Sequence, residues 1–317
     1  MQTIAVLMGG PSTEHEVSLA SGENVCANLD RKKYQVLPVR ISKKGLWTFG
    51  NAARHYPLPA GIAELQRRKI AVVFIALHGV FGEDGKLQAL LETANIRYTG
   101  SGPAASALAM DKKLSGLLFQ AAGLRVPAFT LVRQGEKGRL SKFPVILKPR
   151  FGGSSVGITI AKNPQAYTHG LQNAWRYEPE VVVQKYISGV ELTCGVIESV
   201  SGKPQALLPT LIRPVTAHFF GYKAKYTPGM TEEITPAPLP NGVLRKIQAQ
   251  ALLAHTTLGC RGFSRTDFII RGLTMYVLET NSIPGLTQES LLPKAARASG
   301  LPFAQLLDRI IRAGVRR

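Results

Sequence analysis

The chain has 317 residues, 45% of them hydrophobic and 19% charged, which excludes the disordered class and leaves room for two or three domains. Its 39 Lys and Arg outnumber 20 Asp and Glu for a net charge of +19, yet the excess sits in short separate clusters such as Arg31-Lys32-Lys33, Arg67-Arg68-Lys69 and Lys112-Lys113. Without a basic tail or a basic–aromatic motif, that pattern argues against specific nucleic-acid binding. No apolar run is long enough to span a membrane. Three scattered cysteines, Cys26, Cys194 and Cys260, argue against a disulfide scaffold or a Cys-based zinc site and fit a reducing cytosol.

The N-terminal stretch Met1 to Met8 lacks a basic region and runs into a glycine turn, so it reads as a first strand and not a signal peptide. Gly9-Gly10-Pro11-Ser12-Thr13-Glu14 then leads into a helix from about Glu16 to Leu29, a turn that exposes N–H groups at a helix start. His15-Glu16-Val17-Ser18-Leu19 begins like a metalloprotease motif, but Leu19 stands where the second His is needed. Tyr34–Ile41 reads as a strand, Lys43-Lys44-Gly45 as a turn, and the apolar run Ile70 to Leu77 as a buried parallel strand. His78-Gly79-Val80-Phe81-Gly82-Glu83-Asp84-Gly85 closes that strand, and a helix from Lys86 to Thr93 follows. Strands alternating with helices predict an open α/β sheet, whose sites lie beyond the carboxyl ends of its strands, where Glu14 and His78 both fall.

A boundary is expected near residue 100. Tyr98-Thr99-Gly100-Ser101-Gly102 lacks the last glycine of a dinucleotide fingerprint, and no Walker A motif exists, so ATP would need another architecture. A helix is predicted from Met110 to Ala122, a strand over Phe129–Val132, and a polar loop over Arg133–Lys142. Phe143-Pro144-Val145-Ile146-Leu147-Lys148-Pro149 puts a lysine at the end of an apolar strand, as a cation aimed at an anion. Gly152-Gly153-Ser154-Ser155-Val156-Gly157 then reads as a phosphate-closing hairpin tip, although an ordinary glycine hairpin has the same composition. A helix from Pro164 to Trp175 and strands over Val181–Ile187, Glu191–Ile197 and Pro204–Ile212 come next. Pro214 to Pro240 reads as a long functional loop, Gly242–Leu258 as an amphipathic helix, and Ser290–Ser299 and Phe303–Val315 as closing helices.

Two further pairs share an i, i+2 spacing, Arg265 with Asp267 and Glu279 with Asn281. Such pairs project from one face of a strand. A hairpin through Arg271-Gly272 would set Asp267, Glu279 and Asn281 side by side as hard oxygen donors suited to Mg²⁺, with Arg265 near. Spacing alone leaves a solvated polar face open as well.

Taken together, these motifs resemble the D-alanine–D-alanine ligases of the ATP-grasp superfamily nearly end to end. The ordered set runs through Gly9-Gly10, Glu14, Val17-Ser18, His78-Gly79, Gly82-Glu83-Asp84-Gly85, Met110-Asp111-Lys112, Lys148-Pro149 and Gly153-Ser154-Ser155-Val156-Gly157. It continues through Lys225-Tyr226, Arg265-Thr266-Asp267-Phe268, Glu279, Asn281, Pro284-Gly285, Thr287 and Ser290-Leu291. The resemblance implies an α/β and α+β chain. An N-terminal open parallel-sheet, Rossmann-like domain (1–100) would bind substrate, with a central (101–185) and a C-terminal (186–317) ATP-grasp domain holding ATP between them. It implies a ligase that joins two D-alanines through an acyl phosphate for peptidoglycan precursors, cytoplasmic and homodimeric, with no membrane partner.

By the same resemblance, Lys112, Lys148 and Lys225 would contact the ATP phosphates, and Gln184, Lys185, Ile187, Glu191 and Phe219 the nucleoside. Two Mg²⁺ ions, replaceable by Mn²⁺, would be held by Asp267, Glu279 and Asn281. Arg265 and the Gly285 N–H would stabilise the oxyanion. Glu14 would pair with the first D-alanine's ammonium, with Ser18 and His78 beside it. Ser290 and the Leu291 N–H would hold the second carboxylate, and Ser154 and Tyr226 would join Glu14 in orienting substrates. Gln184 departs from the family's usual Glu at the adenine contact, and Phe219 to Lys223 depart from a common Asp-containing loop. Tyr226 favours D-alanine over D-lactate as second substrate, because lactate-forming relatives carry His there. A polyanion-binding protein on a degenerate ligase fold is the remaining alternative, supported only by the net charge.

Overall fold

The computed structural model describes residues 1–136, 138, 142–154, 156–214 and 230–316. The first sheet contains β1 (Gln2–Gly9), β2 (Tyr34–Ile41), β3 (Trp47–Phe49) and β4 (Val72–Ile75) in the order β3-β2-β1-β4. β1 is parallel to β2 and β4, and β3 returns antiparallel on β2. Ile4 to Met8 and Val72 to Ile75 are wholly buried, so both faces of these central strands are covered and the run is continuously apolar. The helices α1 (His15–Asn28) and α2 (Leu58–Arg67) connect β1 to β2 and β3 to β4, and α3 (Lys86–Thr93) follows β4. The strand expected over Ile70 to Leu77 is shorter, Val72–Ile75, with Ala71 and Ala76 still donating to Thr3 O and Leu7 O of β1 at its two ends.

Next come α4 (Pro103–Met110) and α5 (Lys112–Ala121). The helix expected to begin at Met110 starts two residues later, because Asp111 breaks the chain with an extended backbone and caps the N–H groups of Lys113 and Leu114. The second sheet, β5 (Phe129–Arg133), β6 (Val145–Pro149), β7 (Thr159–Ala161) and β8 (Glu180–Lys185), is antiparallel in the order β5-β8-β6-β7. Against it packs α6 (Pro164–Ala174), whose Tyr167, Leu171 and Ala174 meet Val145, Leu147, Val181 and Val183 in one core.

The third sheet takes β9 (Val190–Glu198), β10 (Pro204–Ala206), β11 (Thr210–Pro214), β12 (Thr231–Ile234), β13 (Phe263–Arg271) and β14 (Thr274–Asn281). Its order is β12-β11-β9-β13-β14, with β10 also on β9. The single strand expected over Pro204–Ile212 is two. Pro209 has no N–H to give, and Leu208 gives its own to Ser299 Oγ at 2.9 Å. The segment expected as one long loop, Pro214 to Pro240, contains β12, and its residues 215–229 lie outside the described ones. One core joins α7 (Asn241–Thr257), through Ile247, Ala251 and Ala254, to Leu192, Cys194, Val196 and Phe268 of the sheet.

The last two helices, α8 (Leu291–Ala298) and α9 (Phe303–Val315), do not join that core. Leu292, Ala295, Ala296, Leu306, Leu307, Ile310 and Ile311 share the core of the first sheet, together with Ile283 and Leu286. The chain therefore returns to its beginning, and the turn after β14 is pressed onto the N-terminal lobe. Among the described residues, no helix is long and apolar enough to cross a membrane.

Candidate active site

A cleft of about 530 Å³ opens between the second and third sheets. Of the residues expected at a nucleotide, Lys112, Lys148, Gln184, Lys185, Ile187 and Glu191 all line it, as do Asp267 and Glu279. Lys148 and Gln184 are both buried, and Gln184 sits opposite Ile146 across the β6–β8 ladder. The expected contacts Phe219, Lys225 and Tyr226 lie outside the described residues, as does Ser155.

The β13–β14 hairpin sets Asp267 opposite Glu279 and Arg265 opposite Asn281. Period-two alternation puts all four on one face. The ladder shifts register after Asp267, so Leu278 is an extra residue in β14 and lines the cleft beside Glu279. Asp267 accepts from Arg265 Nε and Nη2, both at 3.0 Å, from Thr193 Oγ1 at 2.6 Å, and from Asn281 Nδ2 at 3.4 Å. Two carboxylates and one amide oxygen fit a hard cation such as Mg²⁺, whose remaining ligands would be water and phosphate. Among the described residues no three of His, Cys, Asp or Glu converge, so the donor set does not suit a closed zinc site.

The end of the cleft expected to hold phosphate is braced by ion pairs. Arg150 Nε lies 3.0 Å from both oxygens of Asp111, with its other nitrogens on Asp111 and Glu180 at 2.5 Å each. Burial pushes the Asp111 carboxyl up, but Arg150 together with the Leu114 and Lys113 N–H bonds outweighs it and holds the group below the usual carboxylate range. The pair ties the start of α5 to the glycine hairpin: Lys112 N–H bonds Arg150 O at 3.1 Å, and Lys112 Nζ donates to Gly152 O at 2.6 Å.

At the other end of the cleft, Ser154 donates its hydroxyl to Glu14 Oε1, so the hairpin tip touches the N-terminal lobe. Ser154 holds a left-handed backbone (φ 50°), unusual for a residue with a side chain. Glu14 stands at the start of α1 without capping it, because Ser12 Oγ takes the Glu14 N–H at 3.1 Å and gives its proton to His78 O at 2.7 Å. Room for the Glu14 carboxylate comes from two glycines. A Cβ on Gly153 would stand 2.8 Å from Glu14 Oε2, and one on Gly79 2.9 Å from the same atom.

Two of the residues expected beside Glu14, Ser18 and His78, have their polar atoms engaged within the fold. Ser18 is wholly buried, accepts from Gly9 N–H at 2.8 Å and donates to Ala76 O at 2.7 Å. It clasps the ends of β1 and β4 through these two bonds. His78 is buried between Ser21 Oγ, 2.8 Å from Nε2, and Ile283 O, 3.1 Å from Nδ1. Burial lowers its pKa against the opposing pull of Glu14, so the imidazole is neutral.

Glu83 was quoted within its motif but given no role from sequence. It accepts from Gly79 N–H at 2.7 Å and Ile283 N–H at 3.3 Å. Burial first and the Glu14 charge second push its carboxyl up to about 8. Ser21 and Asn24 were also missed, since a Ser and an Asn one helical turn apart carry no motif. Gly285 and Ser290 are neighbours, with Ser290 Oγ 2.7 Å from where a Gly285 Cβ would stand. Ser290 Oγ bonds Thr287 N–H at 3.0 Å and Thr287 Oγ1 at 2.8 Å, and Leu291 opens α8.

The chain is similar to known proteins over nearly its whole length. A family model described as D-ala D-ala ligase N-terminus matches residues 3–101, and one described as D-ala D-ala ligase C-terminus matches residues 118–312. The D-alanine–D-alanine ligase of Syntrophotalea carbinolica is 41% identical over 310 residues, covering 97% of this chain and 94% of its own. That of Syntrophobacter fumaroxidans is 42% identical over 316 residues, with 98% and 96% covered. Among solved structures, the Bacillus anthracis D-alanine–D-alanine ligase complexed with ATP superposes with a TM-score of 0.81 at 31% identity, covering 100% of this chain and 98% of that one. The VanG D-Ala:D-Ser ligase of Enterococcus faecalis gives 0.83 at 30% identity, with 99% of each chain covered.

Proposed function

From the premise that this chain belongs to the D-alanine–D-alanine ligase family, we propose that it joins two D-alanines at the expense of ATP, forming ADP, phosphate and D-alanyl-D-alanine. The observation that carries this reading is the hairpin register, Asp267 opposite Glu279 and Arg265 opposite Asn281, with Asp267 and Glu279 lining a cleft that also holds Lys148. That arrangement offers metal ligands, an oxyanion partner and a phosphate cation in one space.

In the first step the carboxylate of one D-alanine attacks the γ-phosphorus of ATP, ADP leaves, and an acyl phosphate forms. Lys112 and Lys148, both lining the cleft, stabilise charge on the phosphates. Asp267, Glu279 and Asn281 would hold Mg²⁺, for which Mn²⁺ can substitute, and two such ions would supply charge neutralisation at the phosphate oxygens. Glu14 holds the ammonium of this D-alanine, and Ser154 fixes the Glu14 carboxylate.

In the second step the amine of the other D-alanine attacks the acyl carbon. The carbonyl oxygen becomes an oxyanion beside Arg265 and the Gly285 N–H, and the tetrahedral species collapses with loss of phosphate. Ser290 and the Leu291 N–H hold the carboxylate of the attacking D-alanine, with the N-terminus of α8 adding its positive end. Gln184, Lys185, Ile187 and Glu191 bound the nucleoside end. Phe219, Lys225 and Tyr226 enter this reading on motif resemblance alone. Residues 1–100 act as the substrate domain, and 101–185 and 186–317 as the two that grasp ATP, in a cytoplasmic homodimer serving peptidoglycan synthesis.

The test is direct. Purified chain with ATP, Mg²⁺ and D-alanine should release phosphate and form the dipeptide in equal amounts. D-Lactate and D-serine serve as competing second substrates, and much faster turnover with either near neutral pH would overturn the D-alanine assignment. Duplex DNA binding that survives moderate salt, without ATP turnover, would favour the polyanion alternative.

A further inference from the structure

The peptide plane that carries the Gly285 N–H lies between two planes pinned by the N-terminal lobe. The plane before it contributes the Ile283 carbonyl, which accepts from His78 Nδ1 at 3.1 Å. The plane after it contributes the Leu286 N–H, which donates to Ser21 Oγ at 3.2 Å. The following carbonyl, Leu286 O, accepts from Asn24 Nδ2 at 2.7 Å. Pro284 sits inside this bracket and restricts φ on its own account.

The pins are connected. Ser21 Oγ is 2.8 Å from His78 Nε2, and its lone pair already takes the Leu286 N–H. Ile283 O can only accept, so the ring proton is on Nδ1, and the bare Nε2 accepts the Ser21 hydroxyl proton. Each donor in this chain thus has one acceptor. Ser21 and Leu286 are wholly buried, so water does not replace a lost bond without rearrangement. Ser21 and Asn24 are three apart on α1 and reach the turn from one face of the helix.

We propose that Ser21 and Asn24 are positioning residues for the ligase reaction, which act through Leu286 to aim the Gly285 N–H at the reacting carbonyl. The inference rests on the reading of Gly285 as an oxyanion donor. Its physical basis is that a donor stabilises the tetrahedral species only at the right distance and angle. A plane free to rotate loses that advantage while the nucleotide contacts stay where they are. The N-terminal lobe thereby does more than hold the first substrate. It sets the geometry of a group that belongs, in sequence, to the opposite end of the chain.

The experiment uses the full chain as wild type, Ser21→Ala and Asn24→Asp, the second nearly isosteric but without the donor. The readouts are kcat, the KM values for ATP and D-alanine, the melting temperature, and inhibition by a tetrahedral phosphinate analogue of the dipeptide. The expected result is a fall in kcat of about 10- to 100-fold, matched by a similar loss of phosphinate affinity, with the KM for ATP within about two-fold of wild type. If Ser21→Ala does not fold, Asn24→Asp decides alone. Unchanged kcat and phosphinate affinity in the folded variants overturn the inference and leave the ligase reading standing. So does a loss in which the KM for ATP and the melting temperature move in step with kcat, which marks simple adhesion between lobes. A wild-type chain that forms no dipeptide overturns the ligase reading itself, and the inference with it.

Discussion

Around the turn after β14, polar side chains bond mainly to backbone, whereas at the phosphate end charged side chains bond mainly to one another. His78, Ser21, Asn24 and Glu83 all bond the polar backbone groups of Ile283 and Leu286. Arg265 instead grips Asp267, and Arg150 grips Asp111 and Glu180. The first arrangement fixes directions with little net charge. The second fixes charges, and a bidentate guanidinium pair does so with geometry as well as sign. The contrast matches the two chemical demands: an oxyanion needs a donor aimed at one point, and a triphosphate needs charge spread along a surface.

The largest expected effect falls on the phosphate end. Glu279→Gln keeps the size of the side chain and removes a charge from the metal set, so kcat should fall by about 10²–10³-fold with the circular dichroism spectrum intact. Near-normal turnover would remove Glu279 from the metal assignment. Asp111→Ala should cost about 3 kcal/mol in denaturant unfolding, because it strips Arg150 of a buried partner and α5 of its cap. It should also raise the KM for ATP, since Lys112 and Gly152 are anchored there.

Gly153→Ala probes the substrate end, where its new Cβ would stand 2.8 Å from Glu14 Oε2. Overpacking of this kind predicts about a ten-fold loss in kcat/KM for D-alanine, with a smaller change in ATP binding, whose cleft Gly153 also lines. A variant that weakens ATP equally would blur the contrast between the two ends.

The smallest effect is on pH dependence. Glu83 binds its proton more tightly in the folded chain, its carboxyl rising from an ordinary 4.5 to about 8. Its stabilising contribution is therefore complete below about 4.5 and lost as pH rises toward about 8. Thermal melts from acid to mildly alkaline pH should show this loss in wild type and a flatter profile in Glu83→Gln. Parallel profiles would show that Glu83 does not carry it.

Much of the arrangement was legible because short-range rules sufficed. Lys86–Thr93 and Phe303–Val315 were read at the same bounds that the structure has, since strong apolar periodicity marks a helix without outside help. The i, i+2 pairs of β13 and β14 predicted a shared face, but not the extra residue that brings Leu278 to the cleft. A bulge depends on pairing with the partner strand and leaves no local signature. Ser18 lay in a quoted motif, yet its hydroxyl is engaged within the fold by Ala76 O and Gly9 N–H. Glu83 stood in plain view between Gly82 and Asp84, and its bond to Ile283 spans 200 positions of chain.

By itself, then, the sequence determined the family's ordered motifs and most of the local structures that hold them, since periodicity, turn residues and motifs act over a few positions. Only the tertiary structure decided that the turn after β14 packs on the first sheet. Burial of Ile283 and Leu286 in that core brings Ser21, Asn24 and His78 within hydrogen-bonding reach of its backbone. The physical reason is that a buried backbone group must find a partner wherever the chain's packing has placed one.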